Sequence, residues 1–187
     1  MTVPNMNLSQ NKSEHLEVTG YVMKVVSARV EQNYGGRLVL ELDIAEGPNE
    51  GYYQRLSDRA GFWGMTLNLY FDEKQAWKFS RAIEAFRKSN DSLIWEDDAE
   101  NDEQNLVGKL IGIVPRLKEY IGNDGQKKTK LMPYTTVPVS DIRTGQFTVP
   151  EPVKADEPTY AQASANVVDR TGEAPSGFTA ADDGIPF

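Results

Sequence analysis

The chain has 187 residues, 39% hydrophobic and 26% charged, a size and balance that fit one globular domain plus a tail. It has no cysteine and one histidine, His15, which excludes disulfides, thiolate metal sites, cysteine nucleophiles and paired-histidine chemistry. No apolar run approaches the ~18 residues of a membrane span, and the polar Met1–Ser13 start has neither the basic nor the apolar part of a secretory signal, so a cytoplasmic location is expected.

The net charge of −8 would by itself argue against nucleic acid, but it is unevenly spread. Residues 151–187 hold seven acids and two bases, and Glu96 to Glu103 hold six acids and no base, which leaves 18 bases against 15 acids elsewhere. A mildly basic body, an acidic loop and an acidic tail are expected.

Taken in chain order, residues 1–15 are polar and read as a flexible start. Glu17 to Val30 is β-rich but long for one strand, so a bend at Gly20 or a bulge is expected. Tyr34-Gly35-Gly36 supplies a turn. Arg37 to Ala45 alternates, with Leu38, Leu40, Leu42 and Ile44 on one face and Arg37, Val39, Glu41 and Asp43 on the other. The stretch from Gly47 to Gly64 reads as an irregular connection rich in aromatics and arginines. Thr66 to Phe71 alternates again. The period then changes: Ala76, Phe79, Ile83 and Phe86 follow helical spacing, with a capping-box-like Asp72/Gln75 start and an end at Ser89-Asn90.

The acidic run Glu96–Glu103 follows. Leu106 to Leu117 reads as a fourth strand, Asn123-Asp124-Gly125 as a hairpin turn, and Thr129 to Val139 as a fifth strand. From Pro150 the chain turns Pro-, Ala-, Ser- and Gly-rich without periodicity, which predicts a disordered tail over 151–187. Three strands, a helix and two strands predict a mostly β fold with one helix: the five-stranded OB-fold barrel, its helix between strands three and four.

The final residues, Asp182-Asp183-Gly184-Ile185-Pro186-Phe187, resemble the C-terminal tip of bacterial single-stranded DNA-binding proteins. Gly184 stands where that family usually has a third acid. Segments of the body also resemble the corresponding proteins of phages of Gram-positive bacteria. These are DIAEGPNEGYY at Asp43–Tyr53, the SNDSLIW helix exit, GKLIGIV, and VSDIRTGQF at Val139–Phe147. The resemblance implies an OB-fold body over 16–150 that binds single-stranded DNA in phage or prophage replication or recombination. It also implies a non-catalytic protein whose tip docks replication and recombination proteins through Asp182, Asp183, Ile185, Pro186 and Phe187, in the host cytoplasm if phage-encoded. Homo-oligomers fit the same reading.

Single-strand binding needs a cationic groove and aromatic faces on which bases stack. The candidates fall in three clusters. Tyr34 and Arg37 flank the first turn. Tyr52, Tyr53, Arg55, Arg59, Phe62 and Trp63 fill the connection before strand three. Arg116, Lys118, Tyr120, Lys127, Lys128 and Lys130 line the last hairpin. Each ring has a plain alternative reading as packing, and the lysine run as a solvated turn. Phe79 and Phe86 read as core.

Two rival functions stand beside this one. The same fold could be an adaptor that binds protein, or the acids of 96–103 could serve a metal-dependent nuclease, which would need carboxylates held rigidly around two ions. No phosphate-binding glycine loop and no GxSxG frame is present, and no cofactor is expected.

Overall fold

Five antiparallel strands form one sheet: β1 (Tyr21–Glu31), β2 (Arg37–Ile44), β3 (Thr66–Tyr70), β4 (Leu110–Ile121) and β5 (Lys127–Val137), in the spatial order β3-β2-β1-β4-β5. The structure, a computed structural model, describes residues 16–96 and 100–155, the side chain of Tyr34 excepted. Three helices accompany the sheet: α1 (Tyr52–Ala60), α2 (Ala76–Ser89) and α3 (Val139–Thr144). The chain divides into two units after Ala155, and the described residues lie in the first. No helix among them is long and apolar enough to cross a membrane.

The inward face of β2 is buried as the alternation predicts, but Val39 and Asp43 on the opposite face are buried too. Leu38, Leu40, Leu42 and Ile44 are at most 2% exposed, and with Met23, Val25, Ile111 and Ile113 they form the core beneath Phe86 and Ala82 of α2. β1 carries the expected irregularity, a register shift between Val25 and Ser27. This bulge restores the inward face, so that Ala28 is again buried.

The sheet is not closed by hydrogen bonds: β3 and β5 remain its two edges. α2 sits against both and against β4. Arg81 Nε donates to the Thr136 carbonyl at 3.1 Å, which ties the helix to β5. Asn90, just past the helix, donates to the carbonyls of Phe86 and Leu110 and accepts from the Leu110 amide, all at 2.8 Å. One side chain thus ends α2 and starts β4. The expected Asp72/Gln75 pairing is present, with Gln75 N on Asp72 Oδ1 at 3.0 Å, but it shapes the turn before the helix. The buried face begins a turn later than the periodicity suggests, since Ala76 is exposed while Ala82, Ile83, Ala85 and Phe86 are buried.

Two helices replace segments read otherwise from sequence, so the expectation of a single helix is corrected. α1 lies in the connection taken as irregular. Gly51, at φ 71°, turns the chain into it, and its cap comes from another element: the buried Asp43 of β2 accepts from the amides of Tyr53 at 2.8 Å and Gln54 at 3.3 Å, and from that of Ile44 at 2.9 Å. No local N-cap residue announces such a helix. α3 begins at Val139, where the fifth strand was expected to end, and occupies a stretch that the sequence pattern assigns to neither helix nor strand. Its Ile142 lies so close to Gly112 that a Cβ there would meet Ile142 Cγ1 and the Val137 carbonyl at 2.7 Å. The fourth strand starts at Leu110 rather than Leu106, because Glu103–Leu106 forms a 3-10 turn. Gln104 of that turn donates to the Ala28 carbonyl at 2.9 Å, covering an edge of β1.

The tail boundary also moves. Residues 151–155, read as the start of the tail, run beside β4. Val153 bridges Lys118, its amide donating to the Leu117 carbonyl at 2.9 Å and its carbonyl accepting from Glu119 N at 2.8 Å. Residues 1–15, with His15, and 156–187, with the whole candidate tip, lie outside the described residues, as do Asp97 and Asp98 of the acidic run.

Asp43 should matter most among the polar core groups. Asp43→Ala leaves buried amides without an acceptor and is expected to destabilise the protein by about 1–3 kcal/mol, with the loss read as a lower denaturant midpoint. Asp43→Asn keeps one acceptor oxygen and should lose less.

Candidate nucleic-acid interface

β1 pairs with β4 only over Leu110–Ile113, whereas β4 and β5 stay paired from Gly112↔Val137 to Ile121↔Lys127. Beyond Pro115↔Pro133 the two strands therefore continue as an arm. Paired residues share a face and alternate residues change face. Leu117 and Leu131 take the inner face, with Leu131 packed on the core. Arg116 with Met132, Lys118 with Lys130 and Tyr120 with Lys128 take the outer face. Tyr134, at the register shift opposite Val114/Pro115, joins them: the Arg116 guanidinium lies 4.9 Å from its ring centroid. Lys130 Nζ stands 5.5 Å from the Tyr120 ring centroid. The strand residues of the outer face are thus cations, rings and Met132 with no acid among them, although Arg116 Nε also donates to the Glu151 carbonyl at 2.6 Å, and residues 115–134 hold five bases against two acids.

Asn123-Asp124-Gly125 makes the expected turn, with Gly125 at φ 72°. Asp124 pairs with Lys128 at 2.8 Å and accepts from Gln126 N at 3.1 Å. Lys128 first, and the Gln126 amide second, hold the Asp124 carboxyl below its ordinary value. Lys128 therefore enters the face already partnered. Lysines and Pro133 on β5 also suit an open sheet edge, where charge and missing donors discourage pairing with another chain.

The arm and the connection before β3 meet. A groove of about 510 Å³ is lined on one side by Tyr52, Leu56, Phe62 and Trp63 and on the other by Leu117, Tyr120, Lys130 and Leu131. Two of the three clusters read from sequence are brought together here, but their residues differ in what they offer. Phe62 is 60% exposed. Trp63 is half-buried and its indole N–H donates to the Leu42 carbonyl at 2.9 Å, which fixes it as a wall. Tyr53 is core, 4% exposed and edge-on to Tyr52 at 5.1 Å, and burial pushes its hydroxyl well above the ordinary value. It presents no face for stacking. Arg55 and Arg59 are exposed on α1, each donating to a carbonyl nearby in sequence, Glu50 O and Arg55 O.

The first-turn cluster is of another kind. Arg37 Nε donates to Glu31 at 2.9 Å and its guanidinium lies 5.9 Å from the Tyr70 ring centroid. Arg29 pairs with both Glu31 and Glu41 at 3.0 Å, and Ser27 donates to Glu41 at 2.8 Å. The hydrogen bonds of Arg37 and then Arg29 hold the Glu31 carboxyl low. This part of the β1–β2 surface is charge-balanced, so Arg37 is spent within the protein.

Sequence reasoning missed Tyr134 and Met132, although Lys128, Lys130, Met132 and Tyr134 recur with period two and could have been read as one face. Of the acidic run, Asp102 caps the 3-10 turn through Gln104 N at 2.8 Å. No group of three or more potential metal ligands converges among the described residues. No protein-family model matches the chain, and no curated protein matches it at a significant level.

The two neighbouring aromatics should separate on substitution. Trp63→Phe leaves the Leu42 carbonyl unpaired and is expected to cost about 1–3 kcal/mol. Phe62→Ala should stay within about 0.5 kcal/mol. Thermal unfolding of both variants checks the pair.

Proposed function

We propose that this protein is a non-catalytic single-stranded DNA-binding protein. Its strands lie on the outer face of the β4–β5 arm and in the adjoining groove, within a partly open OB-type barrel. The observation that carries the reading is the acid-free outer face of Arg116, Lys118, Tyr120, Lys128, Lys130 and Tyr134, with two of its cations stacked on its two rings. Phosphates are attracted by such cations, while bases stack on rings whatever their identity, at about 1–3 kcal/mol per base. The barrel reading is supported by the strand order, which leaves β3 and β5 as edges, and by the approach of those edges to Cα separations within 8 Å. OB folds are partly open barrels that bind oligonucleotides through the face of strands two and three and the loops joining strands one to two and four to five, and the β4–β5 arm extends the last of these. The Asp-Asp-Gly-Ile-Pro-Phe segment supports a second element of the proposal, a docking peptide for replication or recombination proteins, in which one aromatic beside acidic residues forms the anchor.

Binding of oligo-dT, measured by anisotropy at two salt concentrations, tests the interface. Affinity should fall steeply with salt, by about 0.7 log unit per phosphate contact per log unit of salt, and duplex should bind much more weakly. The triple variant Arg116→Ala/Lys118→Ala/Lys130→Ala should weaken binding to all sequences and flatten that slope. Equal affinity for duplex and single strand, or an unchanged slope, would overturn the assignment. For the tip, deleting Phe187 should abolish recovery of replication proteins in a pull-down and leave oligo-dT affinity unchanged. Equal recovery removes the docking role.

A further inference from the structure

Three exposed rings among the described residues lie outside the groove: Phe71, which packs edge-on to Phe79, and the more open Trp77 of α2 and Tyr134 of β5, 59% and 56% exposed. The elements of the last two run side by side. Arg81 of α2 bonds to Thr136 of β5, and eight residues on, Ser89 accepts from the Val139 amide at 2.9 Å. The helix advances about 12 Å over that interval and the extended chain about 10 Å, so the two keep pace. One helical turn before Arg81 lies Trp77, about 6 Å back. Two residues before Thr136 lies Tyr134, also about 6–7 Å back. Trp77 shares its helix stripe with Arg81, Glu84 and Lys88, spaced by four, three and four residues, and the last three line the cleft against Thr136–Asp141. The stripe therefore sets Trp77 toward the β5 side of the helix, at the level of Tyr134 along the strand.

Each ring also carries its own cation. Lys78 Nζ lies 5.6 Å from the Trp77 ring centroid and Arg116 4.9 Å from that of Tyr134. Glu84, the acid on this stripe, is paired with Lys88 at 2.6 Å. More than half of each ring is open to solvent, the tryptophan with a lysine over it and the tyrosine with an arginine over it. Together they have the composition that stacked bases and their phosphates require.

We propose that Trp77 extends the interface beyond the arm: with Tyr134, the last ring of the outer face, it forms a base-stacking platform for single-stranded nucleic acid, which takes a strand leaving the arm and carries it across the gap between β5 and α2. This rests on the single-strand-binding reading above. Tyr134 lies six residues along β5 from the rung of Tyr120, roughly 20 Å away. A short oligonucleotide held at the groove does not reach the platform, and a long one does.

The test compares full-length protein, Trp77→Ala and Trp77→Phe on oligo-dT of about 6 and about 20 nucleotides, lengths that bracket the footprint of one OB fold. Thermal unfolding confirms that all three fold alike. Trp77→Ala should weaken the long strand about tenfold and leave the short one unchanged, with Trp77→Phe close to wild type. Wild-type affinity of Trp77→Ala for the long strand overturns the platform and leaves these rings to a protein partner. An equal loss on both lengths overturns it too, since Trp77 would then act within the first site. If the wild-type protein binds neither strand, the single-strand reading itself has failed, and the platform with it.

Discussion

β1 shares only Met23 and Lys24 between its two neighbours. The antiparallel register sets Tyr21, the first residue of β1, against Ile113, so β4 runs out of a β1 partner there, while at the other end β1 runs past the start of β4 at Leu110. Much of what distinguishes this molecule follows from that parting. β4 and β5 must continue together as an arm, since each is the other's source of ladder hydrogen bonds. The vacated edge of β4 is taken up by Val153. The edge of β1 on the other side of the parting is covered by Gln104. The groove lies where the arm, freed from β1, passes the aromatic connection before β3.

Charge is partitioned along the same line. On the β1–β2 side, Arg29 and Arg37 are matched by Glu31 and Glu41. Exposed pairs of this kind add little stability, yet they cancel the field that a phosphate chain would feel. On the arm, the acids Glu119 and Asp124 sit on the inner face and in the turn, so the outer face keeps its surplus. Net charge per chain, −8, conceals this because the balance is set residue by residue and face by face.

The strands, their inward residues, the α2 face and the last hairpin were legible because each depends on a local period or a two-residue turn. Leu38 to Ile44 needed nothing beyond alternation to be placed. α1 was not legible, because Asp43 caps it from a distance of ten residues, and a local pattern contains no trace of a long-range cap. Tyr53 and Trp63 looked alike in sequence to Phe62. Only the fold decides that the first is core, the second a wall and the third exposed. The pairing of Arg37 was not legible for the same reason: its partner Glu31 lies across a turn whose geometry sets the contact. Tyr134 was missed although the alternation was present, since the strand's proline and threonines draw the eye from its even positions.

At the root of the arm Pro115 faces Pro133. Neither ring has an N–H to give, so that rung carries no hydrogen bond between the strands, and it adjoins the register shift at Val114. Mechanically this is a weak rung, the natural place for the ladder to yield if the arm is loaded. The inward Leu117 and Leu131 hold the arm on one side of it and the ladder above keeps the arm stiff, so bending under load would concentrate at the two prolines. A strand gripped by the outer face would then pull on a lever, and the width of the groove would follow the angle of the arm.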